Sequence, residues 1–414
     1  MSLREPVKLP CGVVFPNRLV KAAMAELMAG WSNTPNPTFV DLYDKWGQGA
    51  WGAVLTGNVQ VDINHLGTPF DPALPGAYTD KESNPDLVSL WAQYAAATQQ
   101  HGPPAIVQIC HPGRQSVRVA GRRGLFAPTI APSPIPLAMG DGWLGRVLGG
   151  IVFPAPREMT QADIDAVTAR FVDAARLMAD AGFSGVQLHG AHGYLIDQFL
   201  NPKTNKRTDA YGGSPAHRAK FVLDILAAIR AVVPARFAVG IKLNSADHSA
   251  ASFEDTMTQI GLLVEAGIDF LEVSGGSYED PKMMGLDEPK SARTAAREAF
   301  FLEFATAVRQ RYPSLVLMLT GGFRTRAGAE AAIAQGACDL VGIGRPAAVD
   351  PAFARLLLDE SVAEEEARLV LNRVPAPWYT KLVPLRAVGG GLESAYYAEQ
   401  IQRIAKGLKT VAPI

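Results

Sequence analysis

Eight short apolar runs, each the length of a β-strand, recur along the chain with longer amphipathic segments between them. This alternation predicts repeated βα units, in which parallel strands are joined by helices that cover them. The predicted strands are 19–24, 53–56, 105–109, 185–188, 237–243, 270–274, 315–320 and 340–343. A doubly wound sheet would show a Gly-x-Gly-x-x-Gly turn after its first strand, and none is present. The pattern therefore favours an α/β fold with a single (β/α)8 TIM barrel.

Capping residues mark the start of several predicted helices. Asn84, Ser214 and Asp350 each stand directly before a proline, which is the residue most favoured at the first helical position. Thr160 and Ser252 each precede an aspartate by three residues, which resembles a capping box with Asp in place of Glu. We expect a helix to begin after each of these five residues.

Two stretches interrupt the βα rhythm. Segment 112–156 is rich in Pro and Gly and too long for an ordinary βα loop. It predicts either a binding insertion over the barrel mouth after the third strand or a loop without fixed structure. The chain leaves the pattern again near residue 363. We therefore divide it into a barrel, 1–362, and a C-terminal extension, 363–414, that packs on the barrel or on a partner subunit.

Composition argues against several classes of partner. Lys and Arg total 39 against 40 Asp and Glu, a formal net charge of -1, which implies no net electrostatic attraction to nucleic acid or to an anionic membrane. No apolar run approaches the about 18 residues of a membrane span, and the first residues lack the apolar core of a signal peptide. Three scattered cysteines favour a reducing compartment. We expect a cytoplasmic protein with a small-molecule partner.

The end of the predicted fourth strand carries the most distinctive residues of the chain. Segment 184–194 places two of the seven histidines, His189 and His192, just before Tyr194. Barrel enzymes keep their chemistry at the C-terminal ends of the strands, so these three residues are the candidate catalytic groups. The alternative is that the two histidines occur together by chance or bind a metal ion, although the segment offers no third ligand for a metal.

Other strand ends carry polar residues or glycines. Gln108 closes the third strand, and Lys242 lies inside the apolar fifth strand, where it needs an anion, an acceptor or an ion pair with a neighbouring strand. Gly322, Gly344 and Arg345 follow the seventh and eighth strands. Bare backbone N–H groups, a helix start and a cation together predict a phosphate site, whereas each glycine pair alone would indicate only a turn.

Longer blocks of the chain resemble the old yellow enzyme family of FMN-dependent ene-reductases. The matching blocks are 17–24, 108–114, 181–200, 205–214, 320–325 and 341–346, so the resemblance covers nearly the whole chain. It implies an enzyme in which NADPH or NADH reduces bound FMN. Hydride then passes from flavin N5 to Cβ of an α,β-unsaturated carbonyl or nitro compound, and a proton goes to Cα.

The same resemblance implies roles for individual residues. His189 and His192 would donate hydrogen bonds to the activating group of the alkene, and Tyr194 would supply the proton. The residues implied to contact the flavin ring or its phosphate are Ala23, Met24, Gly57, Gln108, Lys242, Gly322, Gly344 and Arg345. No metal is implied. Ala25, where many relatives carry Thr or Cys, and Lys242, where many carry Arg, depart from the family pattern and would alter the flavin's electronics.

Two alternatives stay open at this point. One is a metal-dependent or phosphosugar barrel enzyme that uses His189 and His192 as ligands, and the other is a flavin-binding sensor without catalysis. No Cys-x-x-Cys cluster follows the barrel, which counts against the larger iron–sulfur dienoyl-CoA reductases. A stand-alone ene-reductase is therefore favoured.

Overall fold

Eight parallel strands close into a barrel, so the predicted (β/α)8 fold is confirmed. The computed structural model describes residues 1–139, 147, 149–245, 250–274, 304–372, 374–375 and 388–413. In chain order the strands are β1 Val7–Lys8, β2 Val14–Phe15, β3 Leu19–Lys21, β4 Ala53–Gln60, β5 Ala105–Cys110, β6 Ile130–Ala131, β7 Arg157–Glu158, β8 Gly185–Gly190, β9 Ala238–Asn244, β10 Phe270–Ser274, β11 Leu317–Thr320 and β12 Leu340–Ile343. Around the barrel the order is β3, β4, β5, β8, β9, β10, β11 and β12, which pairs with β3 again.

Helices connect the barrel strands and cover their outer face. Their bounds are Pro37–Gly47, Pro85–Gln99, Gln161–Asp180, Leu195–Leu200, Pro215–Arg230, Ala250–Glu265, Arg326–Ala334, Arg345–Val349, Phe353–Leu358 and Val388–Ala405, and residues 304–311 are also helical. In the described part of the chain, none of the helices combines the length and the apolar character that crossing a membrane requires.

The core has two layers because strand side chains alternate between the inside and the outside of a barrel. One apolar cluster joins seven barrel strands to the hairpin β1–β2, where Phe15 meets Phe270 edge to face at 6.4 Å between ring centroids. The larger cluster lies between the strands and the surrounding helices. The apolar side chains of the strands thus pack in these two clusters, and polar side chains occupy the C-terminal ends of the strands.

The predicted helix starts were correct at three of five residues. Asn84, Ser214 and Thr160 directly precede helices, and Thr160 forms the complete capping box with the aspartate three residues on. The predictions at Asp350 and Ser252 were wrong. Asp350 accepts a hydrogen bond from the backbone two residues on and closes a turn before the next helix begins. Ser252 lies inside its helix rather than ahead of it.

Strand ends also differ from the sequence pattern. The first barrel strand was predicted to run to residue 24, but it ends at Lys21, and the apolar residues beyond it form a loop at the barrel mouth. The second was predicted to end at residue 56, but it extends to Gln60 with a shift of register between Leu55 and Asn58. Apolar character alone does not show where a strand leaves the sheet, because loops packed against the barrel are apolar too.

The insertion after β5 has fixed structure where the structure describes it. Strand β6 within it pairs with β7, which directly follows it, and the Thr129 hydroxyl donates to the carbonyl of Gly113 at 2.6 Å. The Arg207 guanidinium donates to the carbonyls of Pro132 at 3.1 Å and Met159 at 2.7 Å. The bond to Pro132 ties the insertion to the segment that follows β8. Residues 140–146 and 148 of the predicted insertion lie outside the described residues.

The helix Val388–Ala405 of the C-terminal extension packs against the barrel. It contacts the helices Pro37–Gly47 and Arg345–Val349. The Gln402 amide donates to the carbonyl of Glu26 at 3.1 Å, which joins this helix to the loop after β3. The glycine triplet 389–391 lies in the first turn of the same helix.

Candidate active site

Two histidines and a tyrosine meet where β8 reaches the barrel mouth. His189 lies on β8, and His192 and Tyr194 follow within one tight turn. The ring centroids of His189 and His192 are 5.0 Å apart, and those of His189 and Tyr194 are 4.5 Å apart. All three side chains are buried. The structure therefore gathers the three predicted catalytic residues into one cluster at a strand end.

The turn that carries His192 has a left-handed backbone. His192 has a φ of 61° and Gly193 a φ of 76°, and such a conformation costs a non-glycine residue about 1–2 kcal/mol. The side-chain oxygen of Asn244 accepts from the His192 N–H at 3.2 Å, and Gln115 donates to the His192 carbonyl at 2.8 Å. Asp197 accepts from the Gly193 N–H at 2.7 Å. These bonds hold the turn and fix the direction of the imidazole.

Both imidazoles are neutral at ordinary pH. Burial lowers the pKa of His189 well below its usual 6.5, and burial together with the charge of Lys242 lowers the pKa of His192 to about 3. The His189 Nδ1 accepts a hydrogen bond from the Ala191 N–H at 3.3 Å, which places the ring proton on Nε2. The His192 Nε2 lies 2.9 Å from the Ser274 hydroxyl. Neutral imidazoles can stabilise an oxygen that gains charge by donating hydrogen bonds to it.

The Tyr194 hydroxyl reaches β4. Its oxygen accepts a hydrogen bond from Nδ2 of Asn58 at 3.2 Å. The other polar atom of that amide, Oδ1 of Asn58, is buried without a hydrogen-bond partner among the residues described. A buried acceptor without a donor is costly, so this edge of the cluster suits a ligand or water with a donor group.

Four buried polar side chains form a chain across consecutive barrel strands. Nε2 of Gln108 on β5 donates to Oε1 of Gln187 on β8 at 2.6 Å. Nε2 of Gln187 donates in turn to Oε2 of Glu272 on β10 at 2.7 Å. Between them, on β9, Nζ of Lys242 lies 3.1 Å from Oε1 of Glu272. The ion pair with a neighbouring strand, one of the options for Lys242, is therefore present.

The loop after β3 lies directly against β4. A Cβ added to Gly57 would come 2.5 Å from the Met24 carbonyl oxygen, so glycine is required at this close approach. The Glu26 carboxylate accepts from the Gly57 N–H at 2.8 Å and from the Tyr43 hydroxyl. These contacts position the loop that carries Ala23 and Met24.

Glycine backbone and a cation lie after β11 and β12. Gly322 has a φ of 74°, and Oγ1 of Thr320, the last residue of β11, is buried with no hydrogen-bond partner in the described part of the chain. Gly344 precedes Arg345, whose Nη1 lies 2.9 Å from Oε1 of Glu393 on the C-terminal helix. The predicted phosphate residues are thus on neighbouring strand ends.

One trio of metal-ligand type occurs in the described ranges, on the loops after β4 and β5. Asp62, His65 and His111 have ligand atoms within 4.8 Å of one another. The His111 Nδ1 accepts from the Gly113 N–H at 3.0 Å, so the ring proton lies on Nε2, the atom 3.9 Å from Asp62. A metal at Nε2 would force that proton onto a nitrogen already in use. The trio is better described as a carboxylate between two imidazoles than as a metal centre.

Comparison with known proteins identifies the family. The profile of the NADH:flavin oxidoreductase / NADH oxidase family matches residues 2–361. The chain belongs to this family. Its members are NAD(P)H-dependent flavin oxidoreductases that bind FMN, so the predicted resemblance to old yellow enzymes, the enzyme class and the cofactors are confirmed.

Two relatives match along nearly the whole chain. The NADH-dependent flavin oxidoreductase iccE of Talaromyces variabilis is 43% identical over 412 residues, which cover 98% of this chain and 99% of the relative. The NADH-dependent flavin oxidoreductase iliE of Neonectria sp. (strain DH2) is also 43% identical, over 96% of this chain, but the match spans only 54% of that longer protein.

Solved structures share the fold. The old yellow enzyme homologue from Zymomonas mobilis superimposes with a TM-score of 0.69 at 23% identity, covering 89% of this chain and 97% of that one. Morphinone reductase in complex with tetrahydroNAD superimposes with a TM-score of 0.68 at 23% identity, covering 86% of this chain and 90% of that one. At these identities the comparison supports the barrel and nothing finer.

The residues at the barrel mouth fit the FMN of this family. A flavin presents a planar ring with polar edges and a phosphate, and it becomes anionic on reduction. Lys242 supplies a buried cation, Gln108 an amide and Gly322 open backbone. The buried Thr320 hydroxyl is a polar atom that the described residues do not satisfy. The donor set therefore suits the cofactor.

Three polar residues of the site, Asn58, Gln187 and Glu272, were not predicted from the sequence. Each lies in a strand of apolar neighbours, and a polar side chain within a buried strand was the available signal. What the sequence could not show is which of them meet, because their partners lie on other strands.

Proposed function

We propose that this chain is an ene-reductase, which uses NAD(P)H and FMN to reduce a C=C bond next to a carbonyl or nitro group. The observation that carries the proposal is the cluster of His189, His192 and Tyr194 at the end of β8. Two neutral N–H donors and a phenol are the groups that a polarised alkene needs, since one oxygen must be stabilised and one carbon protonated.

The remaining strand ends would hold the cofactor. Ala23, Met24, Gly57, Gln108 and Lys242 would contact the ring, and Gly322, Gly344 and Arg345 the phosphate. Bound FMN supplies the hydride that it has taken from NADPH or NADH. Residues 1–362 would form this FMN-binding barrel, with 363–414 as an extension packed on it. The contact of Gln402 with the Glu26 carbonyl supports this role, because it steadies the loop after β3.

The histidines and the tyrosine would have different roles in the reaction. His189 and His192 would hold the oxygen of the activating group, and each donor to such an oxygen contributes roughly 2.7 to 4 kcal/mol to transition-state binding. Because both rings are neutral, they donate without attracting unrelated anions. Tyr194 would give its hydroxyl proton to Cα of the substrate.

An anaerobic titration of the yellow protein tests the proposal. NADPH or NADH should bleach the flavin absorbance, and cyclohexenone, a nitroalkene or a maleimide should restore it with one saturated product per reduced nicotinamide. Failure of every activated alkene to restore the colour would contradict the proposal. Failure of NADPH and NADH to bleach it would also contradict the proposal.

A further inference from the structure

Glu272 is a buried carboxylate that the proposed reaction does not use. It lies on β10 with 0% of its surface exposed, 3.1 Å from the Lys242 ammonium. A buried ion pair adds little net stability, because the loss of hydration offsets much of the attraction between the charges. Its position beside the cation assigned to the flavin calls for a functional reason.

We propose that Glu272 is the counter-charge that limits how much positive charge Lys242 presents to bound FMN, and so keeps the reduction potential of the flavin low. This inference rests on the proposed FMN site. A lone cation stabilises the anionic reduced ring, and more strongly in a site of reduced dielectric. A carboxylate 3.1 Å from that cation turns the pair into a dipole, whose field weakens faster with distance than the field of a single charge.

Gln187 extends the effect of Glu272 to Gln108. A carboxylate only accepts hydrogen bonds, so Gln187 must turn its NH₂ group towards Glu272, as it does at 2.7 Å. Its carbonyl oxygen then faces Gln108, which must present its own NH₂ group, as it does at 2.6 Å. The Oε1 of Gln108 is thereby directed away from Gln187. Glu272 is thus a positioning residue for Lys242 and for Gln108.

The variant Glu272→Gln tests the charge while it keeps the shape. The midpoint potential of the bound FMN is measured anaerobically against a reference dye, and the Kd for FMN is measured by fluorescence quenching on the apoprotein. We expect the preference for reduced over oxidised FMN to increase at least about tenfold, which raises the two-electron potential by about 30 mV. The control Glu254→Gln, an exposed carboxylate paired with Arg311, should leave the potential unchanged.

The variant Gln187→Leu separates positioning from charge. It keeps the ion pair but removes the amide that orients Gln108, so FMN should bind less tightly and the potential should stay near the wild-type value. Removal of one partner of a buried ion pair can prevent folding. Glu272→Asp covers that case, because it retracts the carboxylate from Lys242 without removing the charge and should raise the potential in the same direction.

The results discriminate clearly. A wild-type protein that binds FMN together with a Glu272→Gln variant of unchanged or lower potential would overturn the inference and leave the proposed function intact. A rise in the Gln187→Leu variant equal to that in Glu272→Gln would also overturn it, because the charge would then not be the cause. A wild-type protein that does not bind FMN would remove both proposals.

Discussion

Replacement of His192 with Ala should slow the reduction of enones by about 10² to 10³ while FMN stays bound, since one donor to a developing oxyanion is worth roughly 2.7 to 4 kcal/mol. The imidazole is neutral, with a pKa lowered to about 3 by burial and by Lys242, so its contribution is a hydrogen bond and not a charge. The substitution does not relieve the backbone strain at this position, because Ala is as unfavourable as His at a φ of 61°.

Two variants serve as matched controls. His192→Asn keeps an N–H donor and Asn tolerates the left-handed region, so this variant should recover most of the rate. His217→Ala removes an exposed histidine on the helix Pro215–Arg230 and should change nothing. The double variant with His189→Ala should lose less than the sum of the two single losses, because the rings are 5.0 Å apart and serve one oxygen.

Rapid mixing of the NADPH-reduced enzyme with cyclohexenone measures the oxidative step alone. Cyclohexenone does not ionise, and His192, with its pKa lowered to about 3, does not titrate between pH 5 and 8, so this histidine should add no pH dependence in that range. Two results would refute this reasoning. One is a His192→Ala rate within twofold of wild type, and the other is a rate transition between pH 5 and 8 that the variant loses.

Three further predictions concern single substitutions. Tyr194→Phe should leave flavin reduction by NADPH intact and slow flavin oxidation by enones by about 10² to 10⁴, with smaller losses for nitroalkenes. Equal slowing of both steps in rapid-mixing experiments would show that Tyr194 is not a catalytic residue. Ala25→Thr should raise the flavin potential, and a rise of about 30 mV would correspond to roughly 1.4 kcal/mol for two electrons; an unchanged potential would refute it. Lys21→Met should remove a pH-dependent destabilisation of at most roughly 5 kcal/mol, because burial lowers the pKa of Lys21 from 10.5 to about 7 in the folded chain. The unfolded chain then binds more protons between those values, so wild-type stability should rise with pH from about 7 to 10.5, and denaturation curves in which Lys21→Met shows the same rise would count against the assignment.

Local patterns were sufficient for most of the fold. Strand-length apolar runs and capping residues such as Thr160 depend on neighbours within a few positions, so they can be recognised in the sequence without the structure. The errors occurred where a distant contact decides the outcome. The chain leaves the sheet after Lys21 because the following loop packs on Gly57, a residue 36 positions further along the chain that the strand pattern does not reveal.

The sequence by itself indicated the barrel, the family and the candidate catalytic residues His189, His192 and Tyr194, because each strand-length run and each family block is a local pattern that can be recognised without the fold. Only the tertiary structure decided that Gln108, Gln187, Lys242 and Glu272 form one hydrogen-bonded and ion-paired chain. These four residues are spread over four strands and 165 positions, from 108 to 272. Closure of the barrel brings these strands side by side, and burial of the four side chains makes each charge depend on its partner.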